Sequence, residues 1–437
     1  MHNPTTIFND FRSAWSTTEN LFSALKTEDS LLAAPEHGLR HPLAFYLGHV
    51  AVFYVNKLRA AGLIREGIHP LFEELFAIGV DEHSWDDMTK NSRSWPSLSA
   101  INDYREEVYA LVSQAISRIE DAAFDDTNPE WAILMAIEHE RIHIETTSVL
   151  MREISIDNFR APEHFPTLHP SSKAAPSLHP KAGVDYPKPE WVAVSGGEVR
   201  LGKSRNCSSF GWDCEYGEAW RFAEPFEVSK YLVSNGEFYE FVSDGGYTDD
   251  SYWTDEGAAW RKFRNRNSPQ FWVDGGRKLR TCFEEIPMPW SWPVIANFHE
   301  AKAFANWRTK NDSAPVRLMT ESEHHRMRTV VGPRAVSTAN FDLRFGSEAP
   351  VDRDTSLPIC DVVGNVWQWC EDIFLPLTGF RPHSLYPDYS TPSFDGKHQL
   401  LLGGSFASTG DATGPWNRNN FRRHFYQHAG IRLVRKP

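Results

Sequence analysis

The sequence has few cysteines, no long apolar run and no excess of positive charge, and each shortage removes a class of protein. Its five cysteines, Cys207, Cys214, Cys282, Cys360 and Cys370, are odd in number, widely spread and without a CxxC pair. A disulfide framework or a thiolate zinc site is therefore not expected. No stretch approaches the roughly 18 apolar residues a membrane helix needs. Met1 to Trp15 is polar and mixed in charge, without the apolar centre of a signal peptide. A cytoplasmic protein with no membrane partner is the expectation. The formal net charge of −13 argues against nucleic acid as a partner, because polyanion binders present basic surfaces. Repeats of the solenoid or propeller kind are missing too.

At 437 residues the chain exceeds one ordinary core, so two domains are expected. Residues 1–160 read as helical, with long periodic segments and few glycines. Helices are predicted from about Ile7 to Leu25, from Pro42 to near Gly62, and from about Ser99 to Phe124. A fourth is predicted from an Asn128 cap, with Pro129 in its first turn, through Ile154. Short links between four helices predict an up-down bundle. Residues 161–190 are broken by seven prolines and read as a linker or an extended wrap across the two domains, with His164, His169 and His179 as solvated side chains. Residues 191–437 are rich in Gly, Trp and Asn. There the sequence predicts strands near Trp191 to Val194 and Glu198 to Leu201, and helices near Ser234 to Ser243 and Phe298 to Lys310. The fold class is α + (α+β): a four-helix bundle joined to an irregular α+β domain.

His139 and His143 stand four apart, so both rings project from one face of the fourth helix. That spacing is common by chance. A third histidine, His49, lies mid-helix between Phe45 and Phe53, and bundle cores build metal sites from facing helices. The string His139-Glu140-Arg141-Ile142-His143 also matches HExxH, the zinc hydrolase pattern, with Glu140 as base. Three neutral imidazoles without a carboxylate suit iron, copper or zinc alike. The residues by themselves reach a divalent metal and stop there. Outside the enzymes, the reading is a binding module that uses the C-terminal domain.

Ile137-Glu138-His139-Glu140-Arg141-Ile142-His143-Ile144-Glu145-Thr146 resembles the metal-binding helix of the ovothiol-type sulfoxide synthases. So does Arg40-His41-Pro42-Leu43-Ala44-Phe45-Tyr46-Leu47-Gly48-His49, continuing to Asn56-Lys57-Leu58, and so does Gly79-Val80-Asp81-Glu82-His83-Ser84-Trp85-Asp86-Asp87. Later, Phe210-Gly211-Trp212-Asp213-Cys214-Glu215, Asp361-Val362-Val363-Gly364-Asn365-Val366-Trp367-Gln368-Trp369 and Gly403-Gly404-Ser405-Phe406 resemble motifs of the formylglycine-generating-enzyme-like domain. The tail from Phe421 to Gly430 is similar to the ending of the ovothiol branch. This resemblance implies a DinB-like four-helix bundle joined to a C-type-lectin-like domain. It implies Fe(II) held by His49, His139 and His143, with O2 used to join a cysteine-type sulfur to a histidine imidazole carbon as a sulfoxide. Histidine or a methylated histidine, cysteine or a related thiol, and O2 are then the small-molecule partners. Iron is required over zinc because the reaction removes electrons.

Two departures from the family pattern bear on function. Ovothiol enzymes often carry a C-terminal methyltransferase domain, whereas Pro437 follows directly on the sulfoxide-synthase core, so methylation of its own product is not expected. The family's active-site tyrosine follows the Trp-Gln-Trp motif, and here Leu375 takes that place. A leucine cannot donate a proton. Tyr386, Tyr389 and Tyr426 are the candidates to replace it; otherwise thiol dioxygenation, hercynine or a selenium donor enters as the altered outcome. Arg422 and Arg423 are candidates for gripping a substrate carboxylate, a task that suits a planar guanidinium. Trp367 and Trp369 read as core, and Asn365 as the residue that fixes a loop.

Overall fold

The computed structural model describes residues 3–35, 37–77, 94–120 and 125–437. The stretch from Gly79 to Asp87 lies outside the described residues. Two units are formed. The first comprises Met1–Phe165 with the short segments Arg205–Phe210 and His383–Pro387. The second comprises Pro166–Ser204, Gly211–Pro382 and Asp388–Pro437.

In the first unit the helices are α1 (Pro4–Phe22), α2 (Leu43–Ala60), α3 (Pro70–Leu75), α4 (Leu98–Ile116) and α5 (Trp131–Glu153). Asn3 caps α1 by accepting from the Thr5 and Thr6 backbone N–H groups, the role its short polar side chain suits. Helix α2 packs against α4 and α5, and α1 packs against the same two. All residues from Leu43 to Val55 are buried, so α2 is a central helix without a solvent face. Several boundaries differ from the predicted ones, beginning with α1, which starts three residues before Ile7 and ends three before Leu25. Pro42 precedes α2 as its cap residue and is not in the first turn. Asn128 sits in the turn ahead of α5, where its side chain accepts from the Asp125 N–H, and the helix begins at Trp131. Helix α4 closes at Ile116, and the predicted continuation through Phe124 runs into residues 121–124, which lie outside the described residues. Helix α3 was not predicted, since six residues are too few to show a period.

In the second unit, β1 (Trp191–Val194), β4 (Phe226–Ser229), β8 (Val316–Leu318) and β13 (Leu433–Arg435) form one sheet in the order β1-β4-β13-β8. A second sheet has the order β11-β10-β9-β12, from β9 (Trp367–Ile373), β10 (His398–Leu402), β11 (Asn419–Arg422) and β12 (Ala429–Gly430). Strands β2 (Gly197–Leu201) and β3 (Ala219–Ala223) pair as a ribbon, and β5 (Trp272–Val273), β6 (Lys278–Arg280) and β7 (Glu285–Pro287) make a small third sheet. Helices α6 (Asn235–Ser243), α7 (Asp255–Phe263), α8 (Phe298–Asn311), α9 (Glu321–Val331) and α10 (Arg334–Ser337) complete it. Asn365 holds a left-handed φ of 68°, which asparagine tolerates better than most residues. Its buried amide bonds the Ala349 N–H and carbonyl. Trp367 and Trp369 are core, with the Trp369 indole donating to the Ala296 carbonyl.

The proline-rich stretch is packed along part of its length. It divides at Phe165, and from Pro166 onward it belongs to the second unit. The Trp290 and Trp292 indoles donate to the Ser177 carbonyl and the Ser171 hydroxyl at 2.9 and 2.8 Å. His164 and His179 are exposed, whereas His169 is half-buried with its ring 5.0 Å from that of Phe345.

Candidate metal centre

Residues 41, 45, 49, 53 and 57 recur every four positions along α2 and the turn before it, which sets them on one face. Ring follows ring along this stripe. Centroids lie 4.4 Å apart for His41 and Phe45, 4.8 Å for Phe45 and His49, and 6.5 Å for His49 and Phe53. From α5, His139 and His143 meet the stripe at its middle, with centroids 5.0 and 4.7 Å from His49 and 4.4 Å from each other. One ring nitrogen from each of the three lies within 4.8 Å of the others. Phe53 covers one side of the group, stacked flat on His139 at 3.5 Å with an interplanar angle of 5°.

All three histidines are buried, and burial decides their charge. It pushes His49 down to about 4. It pushes His139 and His143 well below the usual histidine range, with the neighbouring imidazoles adding to the effect. Neutral rings keep a lone pair available, so protons do not compete for the site at neutral pH. The Nδ1 of His49 lies 2.6 Å from the Phe76 carbonyl. A carbonyl only accepts, so this nitrogen carries the hydrogen and Nε2 is left to bind, the tautomer control typical of metal ligands. The Nδ1 atoms of His139 and His143 are buried with no hydrogen-bond partner among the described residues. That state is costly for histidines of a hydrogen-bonded core and fits ligation. The donor set therefore suits a divalent transition metal, and among the described residues it is the one such cluster.

Glycine at 48 makes the Phe76 contact possible. A Cβ there would lie 2.5 Å from the Phe76 ring, far inside van der Waals contact. Gly48→Ala is expected to displace Phe76 and release the His49 ring, weakening metal binding about 10–100-fold with the bundle still folded. A metal titration followed by circular dichroism checks this; unchanged affinity would mean that Phe76 does not orient the ligand.

Glu140 does not join the histidines. Its carboxylate accepts from the Thr18 and Tyr54 hydroxyls, both at 2.8 Å, and burial raises its pKa. The Arg105 guanidinium lies nearby, stacked 4.0 Å over Trp15 and donating to the Leu47 carbonyl. A hydrolytic base must reach the metal-bound water, and a carboxylate held between two hydroxyls of the bundle core is not set for that.

Tyr386 is the predicted tyrosine that the structure brings to the histidines. Its segment, 383–387, is held to the bundle through His383, whose ring bonds the Asp126 carbonyl at 3.1 Å. The Lys57 ammonium donates to the Leu385 carbonyl at 2.6 Å and lies 3.9 Å over the Tyr386 ring. Tyr386 is 5.3 Å from Phe53 and 6.4 Å from His139, centroid to centroid. The remaining predicted residues belong to the second unit. Tyr389 stacks on Trp212 at 4.0 Å. Tyr426 is buried, with its hydroxyl on Glu300 at 3.1 Å. Arg422 faces Asp395 at 3.5 Å, and Arg423 donates to Gln399 and Glu256. Leu375 is 52% exposed, and its carbonyl accepts from Arg418. Sequence reasoning missed Phe76 and gave Lys57 no role. The four-residue recurrence to position 57 was a signal for Lys57, whereas Phe76 had none, since it acts through its backbone.

Residues 10–147 match the family model of the DinB superfamily, and residues 177–328 and 338–437 match that of the sulfatase-modifying factor enzyme 1-like domain. Ergothioneine biosynthesis protein 1 of Schizosaccharomyces pombe is 26% identical over 444 residues, covering 91% of this chain and 52% of that protein. Hercynine oxygenase of Mycobacterium tuberculosis is 32% identical over 234 residues, 48% of this chain and 52% of that one. Hercynine oxygenase of Mycolicibacterium smegmatis is 27% identical over 448 residues, 95% of this chain and 96% of that one. The chain thus spans about half the length of the first two relatives and nearly all of the third.

Proposed function

Because this chain belongs to the sulfatase-modifying factor enzyme 1-like family and carries a DinB-type bundle ahead of that domain, we propose that it is an iron(II)- and O2-dependent enzyme that bonds a thiol sulfur to an imidazole carbon. The observation that carries this reading is the buried, neutral triad of His49, His139 and His143. Three imidazoles would hold the ion and leave positions open for small ligands. Iron supplies the redox chemistry that zinc lacks.

The overall reaction balances as thiol plus imidazole C–H plus O2 giving sulfoxide plus water. One oxygen atom ends on sulfur and the other in water, which takes up the thiol hydrogen and the ring hydrogen. The chain's own residues fix the setting. Phe45 and Phe53 wall the histidines with apolar rings and keep bulk water away. Tyr386 provides a phenol O–H beside them, in place of the tyrosine missing at Leu375, to hold or release a proton.

Histidine is the imidazole substrate on the ovothiol-type reading. The names of the relatives favour hercynine as the second reading. The test is anaerobic loading of the protein with Fe(II), then O2 with cysteine and either histidine or hercynine, read by oxygen uptake and product mass spectrometry. A histidylcysteine sulfoxide is the expected product. A hercynine adduct instead would move the substrate to the second reading, and no oxygen uptake with either would overturn the proposal.

A further inference from the structure

We propose that Lys57 is a positioning residue that clamps segment 383–387, and with it Tyr386, beside the three histidines. The inference rests on the reading of Tyr386 as the phenol of the site, and its test separates the two.

A lysine in the last turn of a helix commonly sits in water and favours the helix dipole. Arg59, in the same turn of α2, behaves in that way: it is largely exposed and pairs with Glu73 at 3.0 Å. Lys57 turns the other way. Its ammonium lies 3.9 Å from the Tyr386 ring centroid and 4.9 Å from that of Phe53, and it donates to the Leu385 carbonyl at 2.6 Å. One cation therefore engages two consecutive residues of the segment through two kinds of contact, a ring face and a carbonyl. Both strengthen where water is thin.

The segment has reason to need such a hold. It forms neither helix nor strand, apart from a single bridge between His383 and Tyr386, and the chain on either side belongs to the second unit. Lys57 sits two helical turns beyond His49 on one face of α2, with Phe53 midway. Phe53 touches all three parties: it stacks on His139, lies under the ammonium and faces Tyr386. The helix that supplies one histidine thus also sets the distance of the phenol. A displacement of about 1 Å in such a group lowers turnover on the order of 10²-fold.

The experiment is hydrogen exchange by mass spectrometry on the full chain, wild type against Lys57→Met and Lys57→Arg, with metal content and steady-state kinetics on the same samples. Lys57→Met should keep its metal and the protection of α2 and α5. The amides from His383 to Tyr386 should exchange about ten-fold faster or more, and kcat should fall about 10²-fold with little change in KM. Lys57→Arg, which keeps a cation and a donor, should restore protection and most of kcat. If the methionine variant loses protection throughout the bundle, Lys57→Gln replaces it, with the same local loosening expected.

Wild-type exchange at 383–387 in either uncharged variant would overturn the clamp. A loosened segment with unchanged kcat would overturn its bearing on catalysis. A wild-type protein that turns over neither imidazole would overturn the functional reading, while the exchange data would still decide the clamp.

Discussion

Alanine at position 139 is expected to leave the bundle folded yet unable to hold its metal ion, and oxygen uptake should fall to background. The triad has no carboxylate to stand in for a lost imidazole, since the Glu140 side chain is bound to Thr18 and Tyr54. Two histidines remain, and their geometry was set by three. The apo protein should also lose roughly 1–3 kcal/mol, because the flat stack between His139 and Phe53 becomes a partly filled gap. A chelator separates the two effects. An ion present at about 1,000 times its Kd stabilises the native state by ~4 kcal/mol, so the wild-type Tm should drop when the metal is stripped. In His139→Ala it should not move. A variant that still binds one ion with wild-type affinity would mean that the three histidines are not the site.

The second large effect is expected at Glu140, and it should be one of stability. Alanine there strands the Thr18 and Tyr54 hydroxyls, both buried. Leaving each of them unpaired costs about 1–3 kcal/mol. Glutamine keeps the shape and one acceptor, and should cost on the order of 1 kcal/mol. Neither change should abolish metal binding in the protein that remains folded, and Glu140→Gln should retain most of its turnover. A catalytic base lost from an HExxH site would lower turnover by about 10²–10⁴-fold. A loss of that size in Glu140→Gln, with Tm held, would return the hydrolase reading to consideration. Urea unfolding and steady-state rates on the two variants decide it.

What could be read from the sequence follows the range over which each signal acts. The central helices were legible because period and stop signals are local: the Gly62 stop lies two residues beyond the end of α2. His139 and His143 shared a helix face by their spacing, a signal too common by chance to stand alone. His49 stood out as a polar residue in an apolar run. The role of Glu140 was open, since HExxH says which residues are near in sequence and not which way a carboxylate turns. Phe76 could not be found, because it acts through its carbonyl, and every residue has one. Tyr386 was one of three tyrosines that the sequence could not rank. Its contact with the bundle bridges more than two hundred positions of chain, and no local pattern encodes that pairing. For the proline-rich stretch the sequence left a linker and an extended wrap both open, for a related reason. Proline forbids regular structure, but it does not forbid packing, and the tryptophans that bind this stretch lie far along the chain.

The five-residue segment around Tyr386 has a consequence for synthesis. The ribosome delivers all three histidines by residue 143, whereas the phenol emerges only after the chain has run on to residue 386. At translation speeds of about 5–20 residues per second that interval is on the order of 10–50 seconds. Under the proposed function, the nascent bundle for that time carries its three histidines without the phenol. On that reading the three histidines and the phenol reach the site as separate events in the life of each molecule.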